Sequence, residues 1–121
     1  MEILLVDDHP MVRHSLTAVL RAAGHGVTVA ADCAEVRPLL EDGRFDLLLL
    51  DYHLPDGSGL ELLREFADRL PGRTVLLSGV TDAEEALFVL EHSEARAFIS
   101  KEIDLDDLAD ALGEVMDFND D

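Results

Sequence analysis

The chain is poor in cysteine and lysine and has no long apolar run, and these shortages limit what it can be. Its only cysteine is Cys33, so no disulfide can form within the chain, which is typical of a reducing cytoplasm. Apolar runs such as residues 47–50 are short, whereas a membrane-spanning helix needs about 20 apolar residues. We therefore expect a cytoplasmic protein without a membrane segment.

Positive charge is also scarce, because nine basic residues are outnumbered by 27 acidic ones and the formal net charge is −18. Such a field repels nucleic acids and anionic membranes, so we expect no direct binding to either. The excess acid fits two explanations, a solvated surface that favours solubility or adaptation to a high-salt cytoplasm. The length of 121 residues predicts one domain over residues 1–121, with a frayed acidic tail at 118–121.

Five short apolar segments alternate with stretches whose apolar residues have helical spacing. Most of the segments lack the alternation of half-exposed strands, which favours strands buried on both faces. Strands that alternate with helices predict a parallel sheet with helices on both faces. The segments are residues 3–6, 27–30, 47–50, 74–78 and 97–100, and the helices are expected to begin near Pro10, Asp32, Ser58, Thr81 and Asp104.

Polar residues stand at the ends of four apolar segments, where a doubly wound sheet binds its ligands. They are Asp7 and Asp8 after the first segment, Asp51 after the third, Ser78 at the end of the fourth and Lys101 after the fifth. Three carboxylates that meet need a counter-charge. Mg²⁺ can supply it, because this ion prefers oxygen ligands.

Lys101 is the only lysine in the chain, and a compact ammonium on a flexible stem suits a phosphoryl group. Mg²⁺ and Lys101 together would neutralise such a group, and a carboxylate can be the nucleophile that receives it. Asp51 is the candidate nucleophile because it ends the most apolar segment, which we expect to be the central strand. Asp7 and Asp8 would then hold the metal, and the hydroxyl of Ser78 would contact a phosphoryl oxygen.

These residues stand in four motifs that occur in a fixed order. The motifs are Leu-Leu-Val-Asp-Asp-His-Pro at 4–10, Asp-Tyr-His-Leu-Pro-Asp-Gly-Ser-Gly at 51–59, Ser-Gly at 78–79 and Phe-Ile-Ser-Lys at 98–101. With them, the chain resembles the receiver domain of two-component response regulators over essentially its whole length. The resemblance implies a flavodoxin-like (βα)5 fold, an α/β doubly wound parallel sheet with strand order 2-1-3-4-5.

The resemblance also implies a metal site around a phosphoacceptor, Asp51. Asp8 and Asp51 would bind Mg²⁺ directly and Asp7 would bind it through water. The backbone carbonyl of His53 would complete the protein's share of the ligands.

The remaining implied roles concern the switch and its partners. Ser78 and Lys101 would contact the phosphoryl group, and Ser78 and Phe98 would move when it arrives. The phosphoryl donor would be a sensor histidine kinase or a histidine phosphotransfer protein. The output would be a further domain or a partner protein. The resemblance is also compatible with homodimer formation on phosphorylation. Such a chain is a signalling switch and not an enzyme, although it takes part in its own phosphorylation and autodephosphorylation.

Two alternatives stay open, a small phosphatase with an aspartate nucleophile and a binding module with an inactive site. Such phosphatases usually carry a second acid two residues after the nucleophile, where this chain has His53, and the complete set of acids argues against the inactive module.

The other side chains of interest have simpler interpretations. The five histidines lack metal-ligand spacing and are expected on the surface or in loops, Cys33 is expected as a small apolar helix residue, and residues 57–59 as a helix entry.

Overall fold

The computed structural model of the protein describes residues 1–66, 68, 73–78, 97–100, 107 and 110. Within them, strands and helices alternate as the sequence predicts. In chain order they are β1 (Glu2–Val6), α1 (Pro10–Ala22), β2 (Gly26–Ala30), α2 (Cys33–Asp42), β3 (Leu47–Asp51), β4 (His53–Leu54), β5 (Gly57–Ser58), α3 (Gly59–Glu65), β6 (Arg73–Ser78) and β7 (Ala97–Ser100).

Five of the strands form one parallel sheet in the order β2-β1-β3-β6-β7. Counted among the sheet strands alone, this is the order 2-1-3-4-5, so the predicted fold is confirmed. The strand β3 is central, as expected for the most apolar segment. The carboxyl ends of all five strands meet at one edge of the sheet, which is where ligands bind in folds of this kind.

Both faces of the central strands are buried, which explains why their sequences show no alternation. Leu4 and Leu48 pack on one face of the sheet with residues of α2 and α3. Ile3 and Leu49 pack on the opposite face with α1. All four side chains are fully buried, so the register of β1 against β3 is fixed by packing on two sides.

The described helices α1, α2 and α3 begin where the sequence places them, and local features at their first residues explain why. Pro10 is the first residue of α1, a position that needs no backbone N–H donor. Asp32 caps α2 by accepting the N–H of Glu35 at 2.8 Å, and Ser58 caps α3 by accepting the N–H of Glu61 at 3.1 Å.

Residues 57–59 enter a helix as predicted, since Ser58 caps α3 and Gly59 begins it, but they also contain a short strand. Gly57 and Ser58 first form the two-residue strand β5, which pairs antiparallel with β4 in a hairpin, and only then does α3 begin. A pairing of two residues per strand is too short to leave a periodic pattern in the sequence.

Most of the predicted fourth and fifth helices, and the tail at 118–121, lie outside the described residues. Asp107 and Asp110 are the described exceptions, and both are helical and exposed, as predicted for the outer positions of the fifth helix. Over the described part of the chain, every helix is too short or too polar to cross a bilayer.

Replacing Leu5 by alanine is expected to lower the free energy of unfolding by about 3 kcal/mol, because the side chain is fully buried against α1. The control is Val29→Ala in the edge strand β2, at the residue that pairs with Leu5. Val29 is 43% exposed, so its truncation should cost about 0.5 kcal/mol or less. Urea denaturation measures both, and equal losses of stability would contradict the packing described above.

Candidate functional site

Three carboxylates meet at the carboxyl edge of the sheet. The register pairs Val6 of β1 with Leu50 of β3, so the next residues, Asp7 and Asp51, leave the sheet side by side. One ligand atom from each of four residues lies within 4.8 Å of the others, and the four are Asp7, Asp8, His9 and Asp51. Among the described residues this arrangement could hold a metal ion.

Asp7 is held by backbone contacts on several sides and is completely buried. Its Oδ1 accepts the N–H of His9 at 2.8 Å, and its own N–H donates to the carbonyl of Ala30 at 3.1 Å. The guanidinium of Arg13 donates to the Asp7 carbonyl at 2.8 Å. The carboxylate therefore has a fixed orientation at the end of β1.

Asp51 is 2% exposed and makes the same type of turn as Asp7. Its Oδ1 accepts the N–H of His53, two residues further along, at 3.2 Å. The N–H of Tyr52 donates to the carbonyl of Leu77 at 2.8 Å, which continues the contact between β3 and β6 beyond Asp51. The start of the loop after Asp51 is thus fixed both to the sheet and to the carboxylate.

Asp8 has an oxygen without a hydrogen bond. The side chain is 32% exposed, yet Oδ1 itself is buried and has no hydrogen-bond partner among the described residues. The Nδ1 atom of His9 lies 3.2 Å away, within the range of an ion pair, but the contact lacks hydrogen-bond geometry. A buried carboxylate oxygen left in this state is costly unless a cation is available to it.

His9 joins this cluster, although the spacing of the histidines predicted no metal-ligand role for it. The side chain is 63% exposed, as expected for a loop residue, but Nδ1 lies 3.3 Å from Oδ1 of Asp7 as well as close to Asp8. When protonated, the ring would offset part of the negative charge of the cluster. Its place directly after two adjacent aspartates was the available signal.

The other predicted site residues are placed by backbone register or lie outside the description. Asp51 pairs with Leu77, so Ser78 stands one residue beyond it at the same edge, opposite Ser100 of β7. Phe98 pairs with Leu76, two residues before that edge. Lys101 lies outside the described residues.

The loop after Asp51 is closed tightly at its base by Gly59. The N–H of Gly59 donates to the carbonyl of Tyr52 at 2.8 Å, and a Cβ atom on Gly59 would lie only 2.6 Å from the carbonyl oxygen of Asp51. The absence of a side chain at this position therefore lets α3 begin directly against the candidate nucleophile.

The tip of the same loop contacts α2 through Asp56, a residue with no predicted role. Its two carboxylate oxygens accept the N–H groups of Cys33 and Ala34, at 2.8 and 3.1 Å. The hydrogen bond from the Cys33 N–H is the main reason that the pKa of Asp56 is below its usual value. Cys33 is 1% exposed, as predicted for a small apolar residue, and burial raises the pKa of its thiol to about 11.

Proteins of known family resemble this chain in sequence over most of its length. The family model of the response regulator receiver domain matches residues 3–113. The sensor histidine kinase AruS of Pseudomonas aeruginosa is 34% identical over 95% of this chain and 12% of its own length. The DNA-binding transcriptional activator DevR/DosR of Mycobacterium tuberculosis is 33% identical over 94% of this chain and 54% of its own. This chain therefore spans about half, or less, of these curated relatives.

A solved structure shows the same fold at similar identity. It is the CheY-like response regulator receiver domain protein from Methanospirillum hungatei, which is 32% identical and superposes with a TM-score of 0.84. The match covers 97% of this chain and 94% of that one.

Replacing Gly59 by alanine should destabilise the protein by about 1–3 kcal/mol, because the new Cβ would press on the Asp51 backbone, which cannot move freely. Gly26→Ala is the control, since the three atoms nearest to its Cβ would all belong to the flexible side chain of Glu2. Urea denaturation measures the loss of stability, and the chemical shift of the Asp51 amide shows whether the Asp51 backbone has moved. Equal stability of the two variants, with the Asp51 shift unchanged, would contradict the close approach.

Proposed function

This chain belongs to the response regulator receiver domain family, and we propose that it is a signalling switch whose phosphoacceptor is Asp51. The observation that carries the proposal is the meeting of three carboxylates at the carboxyl edge of the sheet. A match over residues 3–113 supports the proposal that residues 1–121 form one receiver domain. The frayed tail at 118–121 stays a prediction.

The acid cluster, which consists of Asp7, Asp8 and Asp51, fits a Mg²⁺ ion. Its donors are carboxylate oxygens, which this ion prefers, and the buried oxygen of Asp8 lacks a hydrogen bond among the described residues. We assign Asp8 and Asp51 as direct ligands, Asp7 as a ligand through water, and the backbone carbonyl of His53 as the remaining protein ligand. A bound Mg²⁺ would supply positive charge for the oxygens of the phosphoryl group.

Asp51 is the acceptor because of its place in the fold. It ends the central strand, and its neighbours Asp7 and Asp8 come from one adjacent strand end, so the other two acids flank it from the same side. In the transfer, an Asp51 oxygen forms a bond to phosphorus while the bond from phosphorus to the donor's imidazole nitrogen breaks. The nitrogen keeps the electron pair. In autodephosphorylation, water attacks phosphorus, the Asp51 carboxylate leaves and inorganic phosphate is released.

Ser78, Lys101 and Phe98 would convert this chemistry into a change of shape. The backbone register supports the roles of Ser78 and Phe98, because β6 adjoins β3 and β7 adjoins β6 at the same edge. Lys101 would pair with the phosphoryl oxygens, Ser78 would move towards them, and Phe98 would follow it inwards. The surface near β7 would then change for a partner.

The phosphoryl donor and the output are proposed as classes of protein. AruS is a sensor histidine kinase and DevR/DosR a DNA-binding activator, so relatives occur in proteins of both kinds. For this chain we propose a sensor histidine kinase or histidine phosphotransfer protein as donor, and a further domain or partner protein as output. A net charge of −18 supports the view that the chain itself does not bind nucleic acid or membranes. A cytoplasmic location and homodimer formation on phosphorylation stay predictions.

Incubation with acetyl phosphate and Mg²⁺ should add one phosphoryl group by intact mass, and Asp51→Ala should abolish it because the acceptor oxygen is gone. The control is Asp42→Ala, which removes an equally charged but exposed residue at the end of α2 and should be labelled like the wild type. Equal labelling of Asp51→Ala would refute the assignment. Steady turnover of p-nitrophenyl phosphate would instead favour the phosphatase alternative.

Lys101→Arg should keep the positive charge and allow phosphorylation, but should couple it poorly to Phe98, because a guanidinium has a different shape and hydrogen-bonding geometry from an ammonium. Intact mass measures the first effect, and the NMR signals of the Phe98 ring, with and without acetyl phosphate, measure the second. A Phe98 response equal to that of the wild type would mean that only positive charge is needed there.

A further inference from the structure

The hairpin that follows Asp51 is attached to α2 at its tip. Pro55 and Asp56 connect β4 to β5, and Asp56 places one oxygen 2.8 Å from the N–H of Cys33 and the other 3.1 Å from the N–H of Ala34. These partners are 23 and 22 residues away in sequence. The contact therefore joins two separate parts of the fold and differs from a local helix cap.

The attachment is favoured by the chemistry of a helix start. The first N–H groups of α2 have no partner within the helix, and the positive end of the helix dipole attracts anions. The Asp32 side chain accepts a hydrogen bond from the N–H of Glu35. The oxygens of Asp56 accept the N–H groups of the two preceding residues of the helix, Cys33 and Ala34. The lowered pKa of Asp56 agrees with a carboxylate stabilised in its charged form.

The hairpin also packs closely against the same helix start. A Cβ atom on Gly57 would lie 3.1 Å from Sγ of Cys33, so this part of β5 has little free space. The helix itself is a rigid support, because Val36 and Leu40 bury its inner face in the core. Asp56 thus attaches the hairpin to an element that cannot easily move.

The other end of the hairpin leads to the acid cluster. His53 begins β4, its N–H donates to Oδ1 of Asp51 at 3.2 Å, and its backbone carbonyl is a metal ligand in the function proposed above. The Gly59 N–H closes the base of the loop on Tyr52. His53 lies between this base and the tip at Asp56. Its backbone is therefore held on both sides.

We propose that Asp56 is a positioning residue for the acidic site, which clamps the hairpin to α2 and thereby fixes the His53 backbone and the Asp51 carboxylate for Mg²⁺. This inference rests on the proposed function, since it concerns binding at that site. Asp56 does not touch the reacting atoms and acts through the hairpin. Because Asp56 is exposed, water can replace it at the two N–H groups, so its removal should loosen the hairpin more than it weakens the fold.

The experiment compares Asp56→Ala with Asp32→Ala. Both changes remove one negative charge and at least one hydrogen bond from the same helix start, but only Asp56 belongs to the hairpin and links it to α2. Mg²⁺ is titrated alone, followed by calorimetry and by the fluorescence of Tyr52, the only tyrosine in a chain without tryptophan. Hydrogen exchange of the hairpin amides at 53, 54 and 56–58 is measured without metal, and urea denaturation shows that each variant is folded.

Asp56→Ala should bind Mg²⁺ about tenfold more weakly, as is common when a residue that supports a metal ligand is lost. It should also exchange the hairpin amides faster, while Asp32→Ala keeps wild-type values for both. Asp56→Asn separates charge from attachment, since its amide oxygen can still accept one of the two N–H groups, and its affinity should fall between wild type and Asp56→Ala.

Two results would contradict the inference in different ways. Equal Mg²⁺ affinity and equal hairpin exchange in Asp56→Ala and Asp32→Ala would overturn the positioning role while leaving the metal site intact. If the wild type fails to bind Mg²⁺, the proposed metal site is overturned, and the positioning role with it.

Discussion

The confinement of like charges at the end of a buried sheet governs the rest of this structure. Packing on both faces fixes β1 against β3, so Asp7 and Asp51 must emerge side by side, and Asp8 follows within the same 4.8 Å cluster. Carboxylates held this close repel one another, and burial removes the water that would screen them. The fold therefore brings negative charges together, and a cation would relieve their repulsion.

Within the described residues, the surroundings of the cluster orient these charges through backbone hydrogen bonds. Backbone N–H groups bind one oxygen of Asp7 and one of Asp51, while Oδ1 of Asp8 has no hydrogen bond among the described residues. The exposed ring of His9 is the nearby group that can carry positive charge within the described cluster. Such a site suits a small divalent cation and, with it, a phosphoryl group that arrives from outside.

Sequence patterns predicted the strands and the converging acids but not the attachments of the loop after Asp51. Continuous apolar segments report burial on two faces directly, and the residue after each segment is then fixed by topology. The hairpin of β4 and β5 is too short for periodicity, and the contact of Asp56 with Cys33 joins residues 23 positions apart. His9 was missed because its role depends on the turn at Asp7 and not on ligand spacing. The role of Lys101, which lies outside the described residues, still rests on the sequence.

The most direct test of the cation requirement is an anomalous-scattering map of crystals soaked with Mn²⁺ in place of Mg²⁺. A chain with 27 acidic residues offers many weak cation sites. The position of the ion therefore distinguishes a specific metal site from non-specific binding to surface carboxylates. We expect one strong peak among the oxygens of Asp7, Asp8 and Asp51. An empty cluster, with Mn²⁺ bound only at other acidic residues, would contradict it.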